Sequence, residues 1–470
     1  MSNDTNQVGG HTAGQLAGQV AGQADQEMTL LSGMYRAVWR WHFYAGLLVL
    51  PVLCLMALTG GLYLFKDGID AAVYRPLSHV EPRAETTSPD RWVAVTQSST
   101  GGVVSSVLVP AQPDQAVRLT VDLDDGSRRT AFVDPHDARL IGVTAFGGVM
   151  ETIKGLHSLS LLGTWTNYLV EIVAGWAIIL VATGVFLWWP RKRDAGVVTI
   201  KATDVKRRPF WRDLHAVTGL YAGGIIAFLA VTGMPWSAFW GDQYMAYIKE
   251  HGLGRPTAPA AASPFAHAAH KDMPAGVGWT MERMVMPLPG PHSMPATLST
   301  VIATAEAQHL GRPYTVSIPT DTSLAYTAAR AVRQVEDARS LYIDGSTGTV
   351  KADIQYGQFG VGAKAFEWGI AVHQGTQYGR LNQFIMLGGC IAIWLLSISA
   401  VMMWWKRRPP HLGRGRLGAP VAPPGPRARA AVLGIVLPLA ILYPLTGLSL
   451  IVAVVLDLAV QRLRRSKVTV

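Results

Sequence analysis

Four histidines stand beside apolar segments that are long enough to cross a bilayer, and they form two repeat-related pairs. His42 recurs as His215, 173 residues later, and we refer to these two as the first pair. His157 recurs as His373, 216 residues later, and these two are the second pair. Ionisable side chains near a membrane are costly unless they snorkel to the interface or serve a site, and imidazole is a common ligand of haem iron. The pairs therefore predict two sites with two histidine ligands each.

Glycines follow the first pair at helical spacing. Gly46 and Gly60 lie four and eighteen residues after the first histidine, and Gly219 and Gly233 repeat that spacing in the second half. With 3.6 residues per turn these positions share one helix face, and a glycine leaves room beside an imidazole for a flat macrocycle. We predict one b-type haem at the first pair and another at the second pair, the latter against Gly60 and Gly233.

Other polar residues flank the two pairs. Arg40 and Arg212 shortly precede the first pair and are candidates to contact haem propionates, although arginines at these positions also direct membrane topology. Gln374, Tyr378 and Arg380 closely follow the last histidine of the second pair. These three are predicted to contact a substrate.

Further groups define the alternatives. Glu171 lies inside an apolar segment, where a carboxylate is by default a functional group such as a proton relay. Both cysteines lie in apolar segments, so thiolate-bound copper or iron-sulfur centres are disfavoured and covalent haem attachment is excluded. The four histidines could also bind a metal other than haem iron. Alternatively, they could be scaffold residues that an ancestral duplication retained. Five more histidines are predicted to be solvated: His251, His267, His270, His292 and His309.

The elements that position these residues are membrane spans. Of the 470 residues 49% are hydrophobic and only 15% are charged, which is unusual for a soluble protein of this length. We predict an α-helical integral membrane protein whose duplicated two-span halves form a four-helix haem-binding bundle, with one extra C-terminal span. The predicted spans, the second and fourth with a preceding histidine segment, are residues 34–65, 157–190, 215–240, 373–405 and 431–460. The last contains Pro438 and Pro444, so a kinked span and a re-entrant segment are both possible there.

Two longer regions, residues 66–156 and 241–372, are predicted to be duplicated extracytoplasmic α+β domains. Both end in a strand, a turn that begins at Asp134 or Asp344, and a second strand. The net charge of +10 is assigned to topogenic Lys and Arg on the cytoplasmic side rather than to nucleic-acid binding. The remaining predicted segments are a disordered tail (1–33), basic loops (191–214 and 406–430) and a basic C-terminal tail (461–470).

Helix geometry adds one prediction about the second pair. His157 and Gly184 are 27 residues apart, so an unbroken helix would place them on opposite faces. We therefore expect the chain to break or reorient near Gly163 and near its repeat equivalent, Gly379.

The repeated H-x3-G and T-G elements, with W-W before basic residues, resemble the PepSY-associated transmembrane protein family over about residues 34 to 408. The resemblance implies PepSY-like outer domains and a multi-pass location in a bacterial inner membrane. Members include ferric-siderophore reductases with two histidine-ligated membrane haems, a role that maps by resemblance to both pairs. This chain has no G-x-G-x-x-G after a strand, so its electron donor, a quinol or a cytoplasmic reductase, must be separate.

We therefore expect a haem-dependent oxidoreductase that reduces an extracytoplasmic ferric chelate, such as a ferric siderophore, for iron acquisition. Reduction weakens the complex because hard oxygen ligands prefer the more highly charged ion. Two other classes stay open: a non-redox PepSY-domain binding or regulatory membrane protein, and a permease for iron or a chelate. A permease would need a polar pathway, and the apolar spans offer few charged residues.

Overall fold

The computed structural model describes residues 5–189, 198–256, 297–319, 324–407, 434, 436–438 and 440–466. The chain divides into two compact units, and each takes segments from both halves of the sequence. The helical unit comprises Met1–Ala57, Tyr168–Met234 and Ile391–Val470. The sheet unit comprises Leu58–Asn167 and Pro235–Cys390.

The helices are α1 (Thr5–Tyr63), α2 (Lys66–Val73), α3 (Arg75–Ser78), α4 (Pro89–Thr100), α5 (Gly148–His157), α6 (Asn167–Trp188), α7 (Arg208–Gly233), α8 (Ala238–Glu250), α9 (Leu298–Ala307), α10 (Val361–His373), α11 (Gly379–Arg407) and α12 (Pro444–Ser466). The strands are β1 (Val103–Val109), β2 (Val117–Asp122), β3 (Arg128–Val133), β4 (Leu140–Ala145), β5 (Tyr314–Ser317), β6 (Tyr326–Arg330), β7 (Arg339–Ile343) and β8 (Val350–Gln355).

Within these described ranges, four helices are long and apolar enough to cross a membrane: Gly33–Tyr63, Asn167–Trp188, Arg208–Trp236 and Gly379–Arg407. A helix needs roughly 20 apolar residues to cross the hydrocarbon core, and each of the four meets that length. The prediction of a multi-pass helical membrane protein is confirmed. The third span begins at Arg208, seven residues before its predicted start, because the basic residues before His215 continue the helix.

Two terminal segments differ from prediction. Helix α1 begins at Thr5 and so includes most of the tail predicted to be disordered. Ala, Gln and Leu recur in that tail and favour helix, and the adjoining apolar span supplies the nucleus from which turns can be added.

The predicted fifth span is interrupted rather than continuous. The chain bends at Tyr443, and α12 then begins at Pro444, which cannot continue a preceding helix without losing a hydrogen bond. The carbonyl of Ala440 occupies the space that a side chain at Gly447 would need. The apolar part of α12, Pro444–Ala453, is shorter than the roughly 20 residues of a span, so the described residues do not form one continuous spanning helix over 431–460.

The strands form one antiparallel sheet in the order β4-β3-β2-β1-β5-β6-β7-β8. Each half of the chain contributes four strands to this sheet. β1 of the first half pairs with β5 of the second, with Val107 opposite Val316. The two α+β regions that were predicted as duplicated domains therefore share one sheet. Pairing of β1 with β5 satisfies backbone N–H and C=O groups that either four-stranded half would leave open.

The core of the sheet unit lies between the sheet and helices α4 and α9. Alternate residues of β2, Val117, Leu119 and Val121, are buried in it, as period-two side-chain alternation requires. Val107, Val301 and other members of this cluster are fully buried, and each such side chain contributes about 1.5 to 3 kcal/mol relative to its exposed state. This shared core holds the two halves together.

Both predicted strand-turn-strand elements are confirmed. Oδ1 of Asp134 accepts the backbone N–H of His136 at 2.9 Å, and Oδ1 of Asp344 accepts that of Ser346 at 3.0 Å. Each carboxylate thereby organises the turn that follows its strand. The duplicated hairpins also share a register shift at their last strand pair.

A bidentate ion pair between β7 and β8 gives a prediction about pH. Arg339 donates to both carboxylate oxygens of Asp353, at 2.9 and 2.8 Å, and these hydrogen bonds lower the pKa of Asp353. A depressed carboxyl pKa stabilises the fold above about pH 4, and this contribution is lost as the pH falls further. We expect Asp353→Asn to reduce the free energy of unfolding at pH 7 by about 1 kcal/mol.

Thermal unfolding of the detergent-solubilised protein at pH 7 and at pH 3.5 checks this expectation. The difference between wild type and variant should narrow at the lower pH. Glu81→Gln, an exposed carboxylate of the same unit, serves as the control. A difference that stays constant between the two pH values would contradict the assignment.

Candidate functional site

The second pair lies at the ends of two short helices that precede spans. His157 is the last residue of α5 and His373 is the last residue of α10. After each of them the chain reorients before the next span begins, with positive φ angles of 119° at Gly163 and 63° at Gly379. The predicted breaks are therefore confirmed, and they allow each histidine to point independently of the helix that follows.

The structure brings the histidines together as two couples. In the helical unit, the ring centroids of His42 and His215 lie 6.3 Å apart with an interplanar angle of 86°. In the sheet unit, those of His157 and His373 lie 6.4 Å apart with an angle of 83°. Two sites in different units thus have nearly the same geometry.

This spacing fits two imidazoles that share one metal ion. Bonds from a metal to an imidazole nitrogen are about 2.0 Å long, so two rings on opposite sides of one ion place their centroids about 6 Å apart. Two histidine nitrogens are also a set of protein ligands that would suit haem iron. Within the described residues no group of three or more His, Cys, Asp or Glu side chains converges.

A hydroxyl group orients each ring of the first pair. Thr183 Oγ1 lies 2.8 Å from Nδ1 of His42, and the same hydroxyl donates to the carbonyl of Ile179 at 2.7 Å. With the hydroxyl proton on this carbonyl, Oγ1 accepts from a protonated Nδ1. The two contacts together favour the tautomer that leaves the lone pair of His42 on Nε2.

His215 is held in the same way from α11. Its Nδ1 lies 3.1 Å from the carbonyl oxygen of Leu396 and 3.0 Å from Oγ of Ser399. A carbonyl oxygen can only accept, so Nδ1 carries the proton and Nε2 has the lone pair. Both hydroxyl-bearing side chains are buried, Thr183 with 2% exposure and Ser399 with none, whereas the imidazoles are only half-buried.

The second pair shows the same arrangement for His157. Thr59 Oγ1 lies 3.0 Å from its Nδ1, and a Cβ on the following Gly60 would lie 3.2 Å from its Cε1. Gly60 therefore leaves the space into which this ring fits. His373 has an aromatic neighbour, since the ring of Trp236 lies 6.0 Å from it.

The other predicted glycines have different surroundings. A Cβ on Gly46 would lie 3.9 Å from Leu180, and one on Gly219 would lie 3.7 Å from Leu396, so both glycines face a leucine of a neighbouring helix. Gly184, not predicted as a site residue, lies beside His42, at 3.5 Å from its Cε1 by the same measure. Gly233 is the last residue of α7.

The two predicted arginines have protein partners. Arg40 stacks over the ring of Tyr44 at 5.1 Å. Arg212 donates from Nε and Nη2 to one carboxylate oxygen of Asp213, at 3.1 and 2.8 Å. Asp213 also accepts two backbone N–H groups of residues 201 and 202, so Arg212 pairs with a carboxylate that holds the preceding loop against the helix.

The predicted substrate residues lie in the segment that directly follows His373. Gln374 accepts a hydrogen bond from Nζ of Lys66 at 3.2 Å, and Tyr378 OH accepts one from Trp368 at 2.9 Å. Arg380 lines a cavity of about 330 Å³. Burial lowers the pKa of Lys66.

The cavity adjoins the segment that carries the second pair. Its lining is mixed, with apolar side chains beside charged ones: Leu64, Phe65, Asp67, Gly68, Arg333, Arg380, Gln383 and Phe384. A Cβ on Gly375, two residues after the last histidine, would lie 2.9 Å from Leu64. An amphipathic or anionic molecule in this cavity would therefore sit next to the histidine segment.

Three amides that the sequence did not single out hold this segment in place. Gln377 accepts the N–H of Val335 at 3.0 Å, and Asn382 donates to the carbonyl of Val372 at 2.9 Å. Gln383 donates to the carbonyl of Leu64 at 2.6 Å. Polar residues at the head of an apolar helix were the available signal, because such side chains usually bind backbone groups there.

The remaining candidates lie apart from the two couples. Glu171 in α6 is fully buried, and a Cβ on Gly175, one turn later, would strike the hydroxyl of Thr446. His251 stacks on Tyr247, at a centroid distance of 4.1 Å. His309 directly follows α9 at a positive φ of 54°. Three predicted surface histidines fall outside the described residues: His267, His270 and His292.

Comparison with known proteins adds one result. The family model described as the PepSY-associated TM region matches residues 39–407, which include both histidine pairs and both halves of the sheet. No curated protein matches the chain.

Proposed function

The chain belongs to the PepSY-associated transmembrane family, and from that premise we propose that it is a di-haem b-type electron-transfer protein of a bacterial inner membrane. It takes electrons from a separate donor, a quinol or a cytoplasmic reductase. It passes them singly to an extracytoplasmic ferric chelate, such as a ferric siderophore, for iron acquisition. The chelated iron(III) becomes iron(II), which hard oxygen ligands hold less tightly.

One observation carries this proposal: two histidine couples, in two different units, share a centroid separation of 6.3 or 6.4 Å. His42 and His215 would hold one haem, and His157 and His373 the other. Haem iron supplies reversible one-electron transfer, and its axial ligands and burial set the potential. Two similar sites beside mostly apolar spans suit electron transfer better than transport, which needs a polar pathway.

The chain's own residues also account for recognition of the chelate. The cavity beside the second couple offers Arg380 to anionic groups, while Phe65 and Phe384 offer apolar surface. Arg333 in the same lining is paired with Asp67 at 2.6 Å. A carboxylate or hydroxamate ligand presents oxygen atoms to guanidinium groups, which bind such atoms with charge-assisted hydrogen bonds.

Visible spectroscopy tests the proposal directly. The protein is purified from cells with ample haem supply, and reduced-minus-oxidised spectra and pyridine haemochrome content are measured. We expect two b haems per chain, and we expect oxidation of the reduced protein when a ferric chelate is added. A protein without haem would contradict the proposal, and so would one whose reduced haems do not react with any ferric chelate.

Arg380 gives a more specific expectation. Arg380→Gln removes a positive charge from the cavity, and one such contact is worth about 1 kcal/mol, so the KM for an anionic ferric chelate should rise about fivefold. Haem content and kcat should stay near wild type, and the effect should diminish at high salt. Arg312→Gln, an exposed arginine paired with Glu306, is the matched control. An equal change in both variants would contradict the role of Arg380.

A further inference from the structure

The hydroxyl groups beside the histidines follow a rule that the repeats make visible. Thr183 is followed by Gly184, Thr59 by Gly60, and Ser399 by Ala400, so a hydroxyl residue precedes a small residue each time. Each of the three hydroxyls reaches the Nδ1 atom of an imidazole on another helix, at 2.8, 3.0 and 3.0 Å. Gly184 and Gly60 also leave space beside the ring that their neighbour contacts, because a Cβ there would lie 3.5 or 3.2 Å from its Cε1.

The same rule accounts for which nitrogen each ring offers. In the first pair both hydroxyls lie within hydrogen-bond distance of a carbonyl of their own helix, Thr183 of Ile179 at 2.7 Å and Ser399 of Leu396 at 3.0 Å. A hydroxyl that donates its proton there can only accept from the N–H group of a ring. These contacts favour protonation at Nδ1 in both rings, and His215 also reaches the carbonyl of Leu396, so that Nε2 keeps the lone pair that a metal needs.

We infer that Thr183, Ser399 and Thr59 are positioning residues that fix the orientation of the histidines they contact, and that Thr183 and Ser399 also fix the tautomer. This inference rests on the proposed function for the metal, and it concerns hydroxyls to which the proposal assigns no role. Hydrogen bonds to the distal N–H of a ligating imidazole raise its basicity, and their loss typically weakens metal binding 10- to 100-fold. A more basic ligand favours the oxidised iron, so loss of the bond raises the midpoint potential.

The test compares side chains of equal shape with and without the hydroxyl. Thr183→Val keeps the volume and removes the acceptor, while Thr183→Ser keeps the acceptor. We expect Thr183→Val to lose the haem of the first pair 10- to 100-fold more readily in transfer to apomyoglobin, and to raise its midpoint potential. Thr183→Ser should restore both properties, and the haem of the second pair should be unaffected.

Two further variants keep the test decisive. Thr446→Val replaces a buried hydroxyl of the same unit, remote in sequence from both pairs, and should leave both haems unchanged. Ser399→Ala repeats the experiment on the partner ring, in case Thr183→Val does not accumulate. The inference would be overturned if the wild type contains two haems and both Thr183→Val and Ser399→Ala leave haem retention and midpoint potential unchanged. Wild-type protein without haem would instead contradict the proposed function.

Discussion

His42→Ala and His373→Ala should each remove one haem, and each should remove a different one. Every couple has two imidazoles, and a single remaining ring cannot supply both axial ligands. Each couple also lies within its own unit, so the loss of one site should leave the other intact. We expect about one low-spin b haem per chain in either variant, with the two difference spectra summing to that of wild type.

Haemochrome content and low-temperature difference spectra measure this outcome. His251→Ala, which alters a histidine stacked on Tyr247, should retain both haems. The double variant should contain no low-spin haem. If both single variants lost the same spectral component, or if His251→Ala lost one as well, the pairing of His42 with His215 and of His157 with His373 would be wrong.

Arg255→Met should destabilise the sheet unit by about 3 to 5 kcal/mol. Arg255 donates to Glu367 at 2.7 Å, and their side chains are only 4% and 11% exposed. Removal of the guanidinium leaves a buried carboxylate without its partner, which costs far more than the pair itself contributes. The guanidinium also stacks on Phe359 at 4.2 Å, and that contact is lost as well.

Amide hydrogen exchange of the full-length protein, followed in peptides from β6 to β8, measures the loss. A cost of 3 kcal/mol corresponds to about 100-fold faster exchange in segments that open with the unit. Arg312→Met breaks a pair of similar length, 2.8 Å, whose side chains are 45% and 40% exposed, and should cost less than about 1 kcal/mol. The added change Glu367→Gln should recover part of the Arg255→Met loss, and equal effects of Arg255→Met and Arg312→Met would refute the argument.

Repeats in the sequence were sufficient to predict which histidines meet. Each histidine and the residues around it recur after one constant shift, which assigns His42 to His215 and His157 to His373 without any knowledge of packing. Helix periodicity locates the breaks at Gly163 and Gly379. The hydroxyl partners were present in the same repeats. Thr183 could not be singled out, because no sequence pattern distinguishes a hydroxyl that bonds its own helix from one that also reaches a neighbouring ring.

The joined sheet could not be predicted from the sequence. The residues of β1 and β5 indicate strands but carry no signal for partner choice, since strand pairing depends on contacts between distant parts of the chain. Pro438 and Pro444 indicate that the C-terminal segment is interrupted, but the mean hydropathy of that segment is still typical of a membrane span. The surroundings of Gly46 and Gly219 depend on the rotation of neighbouring helices, which hydrophobicity alone does not determine.

The pairing of β1 with β5 imposes an order in time on synthesis of the protein. About 200 residues separate the two strands, and at typical elongation rates the ribosome needs on the order of 10 to 40 s to make them. During that interval the β1 edge of the first four strands is open, and other extended chains can bind to it. A chain that stops before Tyr314 would keep this edge permanently, so premature termination should yield an aggregating product rather than half of a working protein.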